Sequence, residues 1–526
     1  MKFMPLTRLL VSATLSTVLI YPGMASAAAP APELHDDNPN GNFGDWYTGA
    51  VPLNASDDKP VLLFVQGLHS NYTTWYNNDG YYDAAYNAGY RTAFVQLKDA
   101  DGAGGNMWTN GAELAKVIKK VAEYYGGSKI NIIAHSKGGI DTQTALVHYD
   151  ASRYVNVVHQ LSTPNKGSEL ADLAYSSWAG WLADLIGMKD DAVYSLQTSY
   201  MANFRSQTDK LSGTNATKTY LSAGMGDDGL FSSSWIAHAF LPGEDDGAVT
   251  VESALGLPYG VKSFTKDISH KQMAKASYTW KLVEPHLKVD GTSSKSTKKN
   301  KHSHAITPEL EKSSFILRGG RVKDTVTETF ALESGIKQFS LDAMTSSKKT
   351  EVVLISPSGK RYKADTNKEK DLHQANIFSA AVHNVIEVEE PEAGEWTLKV
   401  EGSNDAYFMI GSIDGGEAVT VKGNKKVYKK KEKAKISIEL GSSQIERPSL
   451  GKAKLTKAKN GKKISMVADP KLELDDNKLI SNFTVPKEPG VYNLSFDVTG
   501  INENGETFTR SINYNFAVTD AKGKIE

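Results

Sequence analysis

Along the first half of the chain, short continuous apolar runs alternate with stretches whose apolar residues recur at helical spacing. Residues 61–65 (VLLFV) and 129–134 (KINIIA) read as strands buried on both faces of a parallel sheet, and residues 154–158 predict another strand. Residues 139–149 lack Pro and carry Ile140, Ala145, Leu146 and Tyr149 on one helical face, so a helix follows the second run. Residues 170–188 bear an apolar stripe of Leu170, Leu173, Trp178, Trp181, Leu182, Leu185 and Ile186 over a thin polar face. A further helical segment is predicted at 272–282. Past about residue 313 the period changes, and short strands alternate with turn signals. Glu351–Ile355 runs into Ser356-Pro357-Ser358-Gly359, and residues 385–388 lead through Pro391 and Gly394 to a strand at 396–400. Tyr492, Leu494, Phe496 and Val498 alternate with polar residues, the period of a half-buried strand. Asn504-Gly505 marks a hairpin turn before an apolar strand at 508–518.

This change of texture divides the chain. Residues 28–290 are expected to form an α/β domain, a mostly parallel sheet with flanking helices, carrying a lid-like insertion at about 168–210. A Ser/Lys/Thr-rich linker spans 291–312. Two all-β sandwich modules follow at 313–420 and 421–526, the second immunoglobulin-like. The first 27 residues read as a secretory signal, with Lys2 and Arg8, an apolar core at 9–20 and Ala25-Ser26-Ala27 for cleavage. That core is too short to span a bilayer, so a secreted, extracellular protein without a transmembrane segment is expected.

The 526 residues include no cysteine, which excludes disulfides, thiol catalysis and Cys-ligated zinc together. Net charge is −1, unevenly spread, with Lys-rich tracts at 295–301 and 429–433. Such tracts are ordinarily solvated; a weaker reading is attraction of the C-terminal modules to anionic cell-wall polymer or an insoluble substrate surface. No motif supports binding of nucleic acid, and no metal or cofactor is predicted.

The chemistry gathers around Ile132-Ile133-Ala134-His135-Ser136-Lys137-Gly138-Gly139. A buried strand, a tight turn with one serine and a helix make a nucleophile elbow, which lifts a Ser Oγ out of the sheet. The usual first Gly of Gly-x-Ser-x-Gly is Ala134, still small enough for close packing. In folds built on such an elbow, one oxyanion N–H comes from the residue after the nucleophile and another from the loop after an upstream strand. Those donors are the backbone amides of Lys137 and Leu68, the latter in Gln66-Gly67-Leu68-His69, where Gly67 permits close approach. A serine at its ordinary pKa needs a base oriented by a third group. The chain order Ser, acid, His selects His270, at the end of a short strand; His135, His148, His159 and His238 fit less well. The acid is expected at Asp246, directly before Gly247, with Asp245, Asp227 and Asp228 as rivals.

Taken together, Val65-Gln66-Gly67-Leu68, Ala134-His135-Ser136-Lys137-Gly138, Ser162-Thr163-Pro164-Asn165-Lys166-Gly167-Ser168, Asp245-Asp246-Gly247-Ala248-Val249 and Ser269-His270 resemble the secreted bacterial lipases and esterases of the α/β hydrolase fold. The resemblance implies ester hydrolysis through an acyl-enzyme on Ser136. Some relatives hold calcium through an Asp two residues after the catalytic His; here that position is Gln272. The insertion lies where these enzymes place a lid, so Trp178, Trp181, Leu182 and Leu185 are candidates for acyl binding or lid, joined by a second apolar piece at 235–241. The leading expectation is a secreted carboxylester hydrolase acting on ester or lipid substrates. An extracellular polyester depolymerase is the alternative within enzymes, and a non-catalytic surface-binding protein on a hydrolase fold is the alternative outside them.

Overall fold

The computed structural model describes residues 28–101, 104–187, 189–227, 240–287, 311–364, 378, 380–440, 443–445, 453–458, 465–468, 470–475 and 478–525. The N-terminal half is built on one sheet. Its strands are β1 (Glu33–His35), β2 (Trp46–Thr48), β3 (Leu62–Val65), β4 (Thr92–Val95), β5 (Ile130–His135), β6 (Val155–Leu161), β7 (Lys218–Gly224) and β8 (Val261–Lys266). They lie in the order β1-β2-β4-β3-β5-β6-β7-β8. Every pair from β4 to β8 is parallel, and only the β1 and β2 edge is antiparallel. Among the described residues the α-helices are α1 (Thr73–Tyr76), α2 (Tyr81–Asn87), α3 (Met107–Tyr124), α4 (Gly138–His148), α5 (Glu169–Ala174), α6 (Gly180–Leu185), α7 (Asp191–Ser195), α8 (Thr198–Thr208), α9 (Val251–Ala254) and α10 (Ala276–Val283).

The apolar runs are buried on both faces because helices cover both. Leu63, Val65, Ile130 and Ile132 pack with Leu114, Ile118 and Val121 of α3. Leu62, Phe64 and Ile133 face the other way, toward Tyr81, Trp280 and Val283. The strand order turns at β3 and β5, and loops leaving such a switch point diverge to leave a crevice at the carboxyl ends of the strands. Both loops expected to carry chemistry leave there. Among the described residues, no helix is long and apolar enough to cross a membrane.

The predicted stripe at 170–188 is broken into short pieces, α5 and α6, and continues through α7 and α8. Their apolar faces form one cluster with Leu170, Leu173, Leu182, Tyr194 and Phe204. Of the second apolar piece, only Phe240 and Leu241 lie among the described residues; both are buried in that cluster.

The C-terminal half is two β sandwiches. In the first, Phe315–Val322, Asp405–Gly415, Ile336–Thr345 and Val382–Glu389 face Thr325–Leu332, Gly394–Glu401, Glu351–Ile355 and Arg361–Lys363 across a core that includes Trp396 and Phe339. The second has at its centre the hairpin Gly490–Ile501 and Thr507–Thr519. The strand Glu311–Ser313 pairs with Val419–Gly423 and so belongs to the second sandwich. The expected boundaries at 312/313 and 420/421 therefore shift. The chain lays one strand in the second module before it builds the first, a crossing that linear composition does not reveal.

The sandwiches are locked together. Arg510, fully buried, pairs with Glu333 and donates from Nε to Glu417 O at 3.0 Å. Arg318 pairs with Asp497 at 3.0 Å. The joint β half also packs on the cap formed by α5 to α8. Asn515 Oδ1 accepts the Ser199 N–H at the start of α8 at 3.0 Å, and Asn493 Nδ2 donates to Tyr175 O at 3.3 Å. Gln207 Nε2 donates to Gly523 O at 2.7 Å. A Cβ on Gly319 would stand 2.4 Å from Trp178 O, so only glycine allows this strand so close to the cap. The physical reason is the cap itself: Leu182 and Ala183 are buried in one cluster with Leu317, Phe408 and Ile410.

Candidate active site

β5 runs directly into Ser136, whose φ of +53° lies in the left-handed region. A residue with a Cβ pays for that conformation in strain of order 1–3 kcal/mol, tolerated where surrounding structure fixes it. Here Ser136 N–H donates to Leu161 O at 2.9 Å, and α4 starts two residues later. A Cβ on Gly138 would sit 2.3 Å from Gln66 O, and one on Gly67 2.9 Å from Ser136 Cβ. The loop after β3 and the elbow are thus in direct contact, and both glycines are required by that approach. Ser136 is 8% exposed.

His270 follows β8, and its backbone N–H donates to Asp246 O at 2.9 Å. Its Nδ1 meets Asp246 Oδ2 at 2.8 Å. Asp246 is fully buried on the turn before α9, with Oδ1 accepting the N–H groups of Val249 at 2.9 Å and Ala248 at 3.2 Å. Burial alone would raise its pKa; the His270 imidazole and hydrogen bonds, including one from Ser162, outweigh that and hold it below the ordinary 3.8. Asp245 turns its Oδ1 back to Gly247 N–H at 2.7 Å. Asp228 and His238 lie outside the described residues.

His135, set aside as a base, has a different place. Its ring lies against that of His270, centroids 4.6 Å apart, and its Nε2 bonds His270 O at 2.8 Å. Burial, then the neighbouring His270, lowers its pKa to about 3. The ring is therefore neutral and donates from Nε2, tying the residue before Ser136 to the backbone of His270. His148 and His159 bond Thr208 and Ser222 instead.

The loop carrying Leu68 is pinned from several sides. With its amide turned to satisfy both neighbours, Gln66 donates to Val95 O at 2.9 Å and accepts from Leu97 N at 2.8 Å. His69 N–H donates to Asp99 Oδ1 at 3.3 Å, and His69 Nε2 meets Asp190 Oδ2 of the cap at 2.5 Å. Asp190 Oδ1 also caps α7 through Val193 N–H at 2.9 Å. Lys137 sends its side chain inward to Asp141 and Asp99. Ser162, Asp99, Asn110, Asp141 and Asp190 were missed as site residues. Only Ser162 carried a signal, from the Ser-Thr-Pro loop; the others are polar residues scattered over distant helices and loops, without a motif.

The lid candidates sit on or beside α6. Leu182 is fully buried, Trp178 is partly buried, and Trp181 and Leu185 are 42% and 54% exposed. Trp181 lies under the Arg321 guanidinium of the first sandwich, 4.2 Å from the ring centroid. The nearest partner of this stripe is thus the β half. Among the described residues, no group of three His, Asp or Glu side chains is placed to hold a metal ion. Gln272, at the position where some relatives bind calcium, accepts Ser269 N–H at 3.0 Å.

Comparison with known proteins places this architecture. Residues 340–411 match the model of the proprotein convertase P-domain. The chain superposes on the crystal structure of Bacillus licheniformis lipase BlEst2 in propeptide form with a TM-score of 0.71 and 27% identity, covering 92% of this chain and 99% of that one. The mature form of the same lipase matches 47% of this chain and all of its own length at 40% identity, with a TM-score of 0.44. Triacylglycerol lipase 2 of Saccharomyces cerevisiae is 29% identical over 169 residues, 30% of this chain. The chain spans half the length of that yeast relative. The fold is an α/β hydrolase followed by all-β sandwich domains, and the chain is a homologue of lipases and esterases, with a P-domain-like β module.

Proposed function

We propose that this chain is a secreted carboxylester hydrolase of lipase type, working through an acyl-enzyme on Ser136. Ser136 Oγ attacks the ester carbonyl carbon while His270 Nε2 takes its proton. Asp246 holds the opposite ring nitrogen and stabilises the imidazolium. The oxyanion forms against the backbone N–H groups of Leu68 and Lys137. The imidazolium then protonates the leaving alkoxide, and water attacks the acyl-enzyme with His270 again as base. The observation that carries this reading is the buried Asp246–His270 pair, joined through His135 to an elbow whose serine is held at positive φ on a strand-to-helix turn. Export is supported by the N-terminal pattern at 1–27. Hydrolysis of a p-nitrophenyl ester, abolished by a serine-directed organophosphate and absent in Ser136→Ala, is the expected result. Turnover by Ser136→Ala would sink the assignment. A polyester depolymerase would use the same triad, and a polyester film assay separates the two.

A second reading concerns the β half. The cap over the site is clamped by both sandwiches, and Ser136 is left 8% exposed. The solved relative that matches nearly end to end is described as a propeptide form. We infer that the β half acts as a propeptide that restrains the cap, in place of the expected substrate or wall grip. Small acetate esters reach Ser136 in the full chain; long-chain esters require the clamp to open. Limited proteolysis is expected to raise long-chain hydrolysis at least severalfold relative to acetate, and an unchanged ratio would remove this reading.

A further inference from the structure

Beneath the loop that follows β3 lies a buried set of charges that the proposed reaction does not use. Lys137, Asp99 and Asp141 are 1%, 3% and 1% exposed, and Asn110 is fully buried. Lys137 Nζ donates to Asp141 Oδ2 at 2.8 Å and to Asp99 Oδ2 at 3.3 Å. Asn110 Nδ2 donates to Asp99 Oδ2 at 2.6 Å and to Asp141 Oδ2 at 3.0 Å. The other oxygen of Asp99, Oδ1, accepts the backbone N–H of His69 at 3.3 Å. Packing alone does not call for such an arrangement, since buried ions of similar volume are often no more stabilising than apolar residues. Its distinctive feature is what it joins. Lys137 carries one proposed oxyanion N–H on its backbone. Asp99 holds the residue directly after Leu68, which carries the other. The path from Lys137 Nζ through the two oxygens of Asp99 to His69 N–H ties the side chain of one donor residue to the peptide directly after the other.

We propose that Asp99 is a positioning residue for the oxyanion hole, holding the Leu68 and Lys137 amides at a fixed separation and using the Lys137 ammonium as the far end of the brace. This rests on the serine-hydrolase reading of the same site. Asp99 itself touches no substrate. Donors aimed at developing charge act on the transition state, so a loosened brace lowers kcat and leaves ground-state binding nearly unchanged.

The test is Asp99→Asn in the full chain. The amide keeps the shape of the carboxylate and leaves one carboxylate facing one ammonium, so the buried set sheds its excess negative charge and folding is retained. The amide has one acceptor oxygen where the carboxylate has two, so it cannot serve both His69 N–H and Lys137 Nζ. Turnover of p-nitrophenyl acetate is measured per serine titrated to completion with a fluorophosphonate. KM, melting temperature and the affinity for an alkylboronic acid, which forms a tetrahedral anion on serine, are measured alongside. The expected result is a kcat per titrated site lowered about tenfold or more, KM within about twofold, and boronate affinity lowered in step with kcat, a partial version of losing one donor. A kcat per titrated site within about twofold of the parent overturns the proposal, whatever the melting temperature does. If Asp99→Asn yields no folded protein, Asn110→Ala, which removes the short bond holding Asp99 Oδ2, is read by the same two outcomes. Ser136→Ala in parallel separates the two layers: a Ser136→Ala chain that still turns over would overturn the serine reading, independently of Asp99.

Discussion

Strand β5 and the strand Gly490–Ile501 are both buried on both faces over most of their length, by opposite means. In β5 both faces are apolar except for Asn131 and His135, which bond Leu287 O and His270 O. In Gly490–Ile501 one face supplies Tyr492, Leu494, Phe496 and Val498 to a sandwich core, while Asn493 and Ser495 on the other are 0% and 1% exposed. Asn493 on that face and Asn515 on the paired strand bond Tyr175 and Ser199 of the cap, beside Val491 and Ala517 in the cap's apolar cluster. A strand buried by apolar side chains on both sides has no alternative to its place. A strand whose second face is polar can exchange each protein hydrogen bond for one to water at little net cost. The first is a permanent core; the second has a polar part that water can take over, in keeping with the proposed removable clamp, beside the apolar cluster that cap and sandwiches share.

The strongest break in this comparison comes from removing a few atoms at each end of it. Ser136→Ala and His270→Ala are expected to cost activity by a factor of about 10⁴ or more, since members of such a unit fail together. Asp246→Asn is expected to cost about 10⁴, because Asp246 fixes the His270 tautomer. Asp245→Asn is expected to cost far less, its Oδ1 being engaged with Gly247 N–H. Equal losses at both would move the acid. Leu68→Pro comes next. Losing one oxyanion N–H costs about 10²–10³ in rate, while Leu68→Ala keeps the amide and most of the turnover. A folded Leu68→Pro chain with normal turnover would take Leu68 out of the oxyanion hole.

On the β side the sign reverses. Asn493→Ala with Asn515→Ala removes the polar grip on the cap and is expected to raise long-chain ester hydrolysis by the full chain, roughly tenfold for about 1.4 kcal/mol of clamp weakened. Acetate turnover is the internal control and changes little. A fall in both, in step with a lower melting temperature, would make this face plain structural packing.

The two halves were not equally legible. The sheet, the elbow and the Asp246–His270 pair could be read because each depends on local pattern: apolar runs, a small-Ser-small turn, an Asp-Gly turn and one His after a strand. The hairpin at 490–519 was legible for the same reason, from alternation and Asn504-Gly505. The docked polar face was not, because Asn493 looks solvated until its partner Tyr175 on the cap, some 300 positions away, is known. The broken form of α5 and α6, the strand Glu311–Ser313 crossing into the second sandwich, and the Lys137–Asp99 link share that cause. Each is decided by a distant contact between residues ordinary in their own segments.

Buried histidines set the halves apart in pH. His135 and His159 of the hydrolase are lowered to about 3, chiefly by burial and then by a neighbouring imidazole. Their folded pKa lies below the unfolded 6.5, so their contribution is present above pH 6.5 and is lost as pH falls toward 3. His383 of the first sandwich, though burial opposes its charge, pairs with Asp342 at 2.7 Å and is raised. Its contribution is present below 6.5 and lost as pH rises through its folded value. Acidification from pH 7.5 to 5 is therefore expected to lower hydrolase stability by about 1.4 kcal/mol per pH unit for each such proton below 6.5, and not to weaken the His383 pair. Urea midpoints of His159→Asn against the parent at the two pH values check this. A variant with the parent's full pH slope would show that His159 does not hold back a proton.

The smallest effect separates two faces of α6. Leu182 is fully buried between cap and sandwich, whereas Trp181 is 42% exposed beneath Arg321. Leu182→Ala is expected to cost about 2–5 kcal/mol, the range for emptying a packed site. Trp181→Ser removes an exposed cation–π contact of about 0.5–1 kcal/mol and is expected to shift stability by little more. In the full chain its acetate turnover stays near the parent's. Once proteolysis has freed the cap from Arg321, the ring is available to an acyl chain. There Trp181→Ser is expected to lower palmitate hydrolysis relative to acetate by a factor of a few, in proportion to the apolar area the ring covers. Measuring the palmitate-to-acetate ratio before and after release, in parent and variant, gives the answer. A ratio unaffected by Trp181→Ser in both states would leave Trp181 as a contact for the β half and no part of an acyl wall.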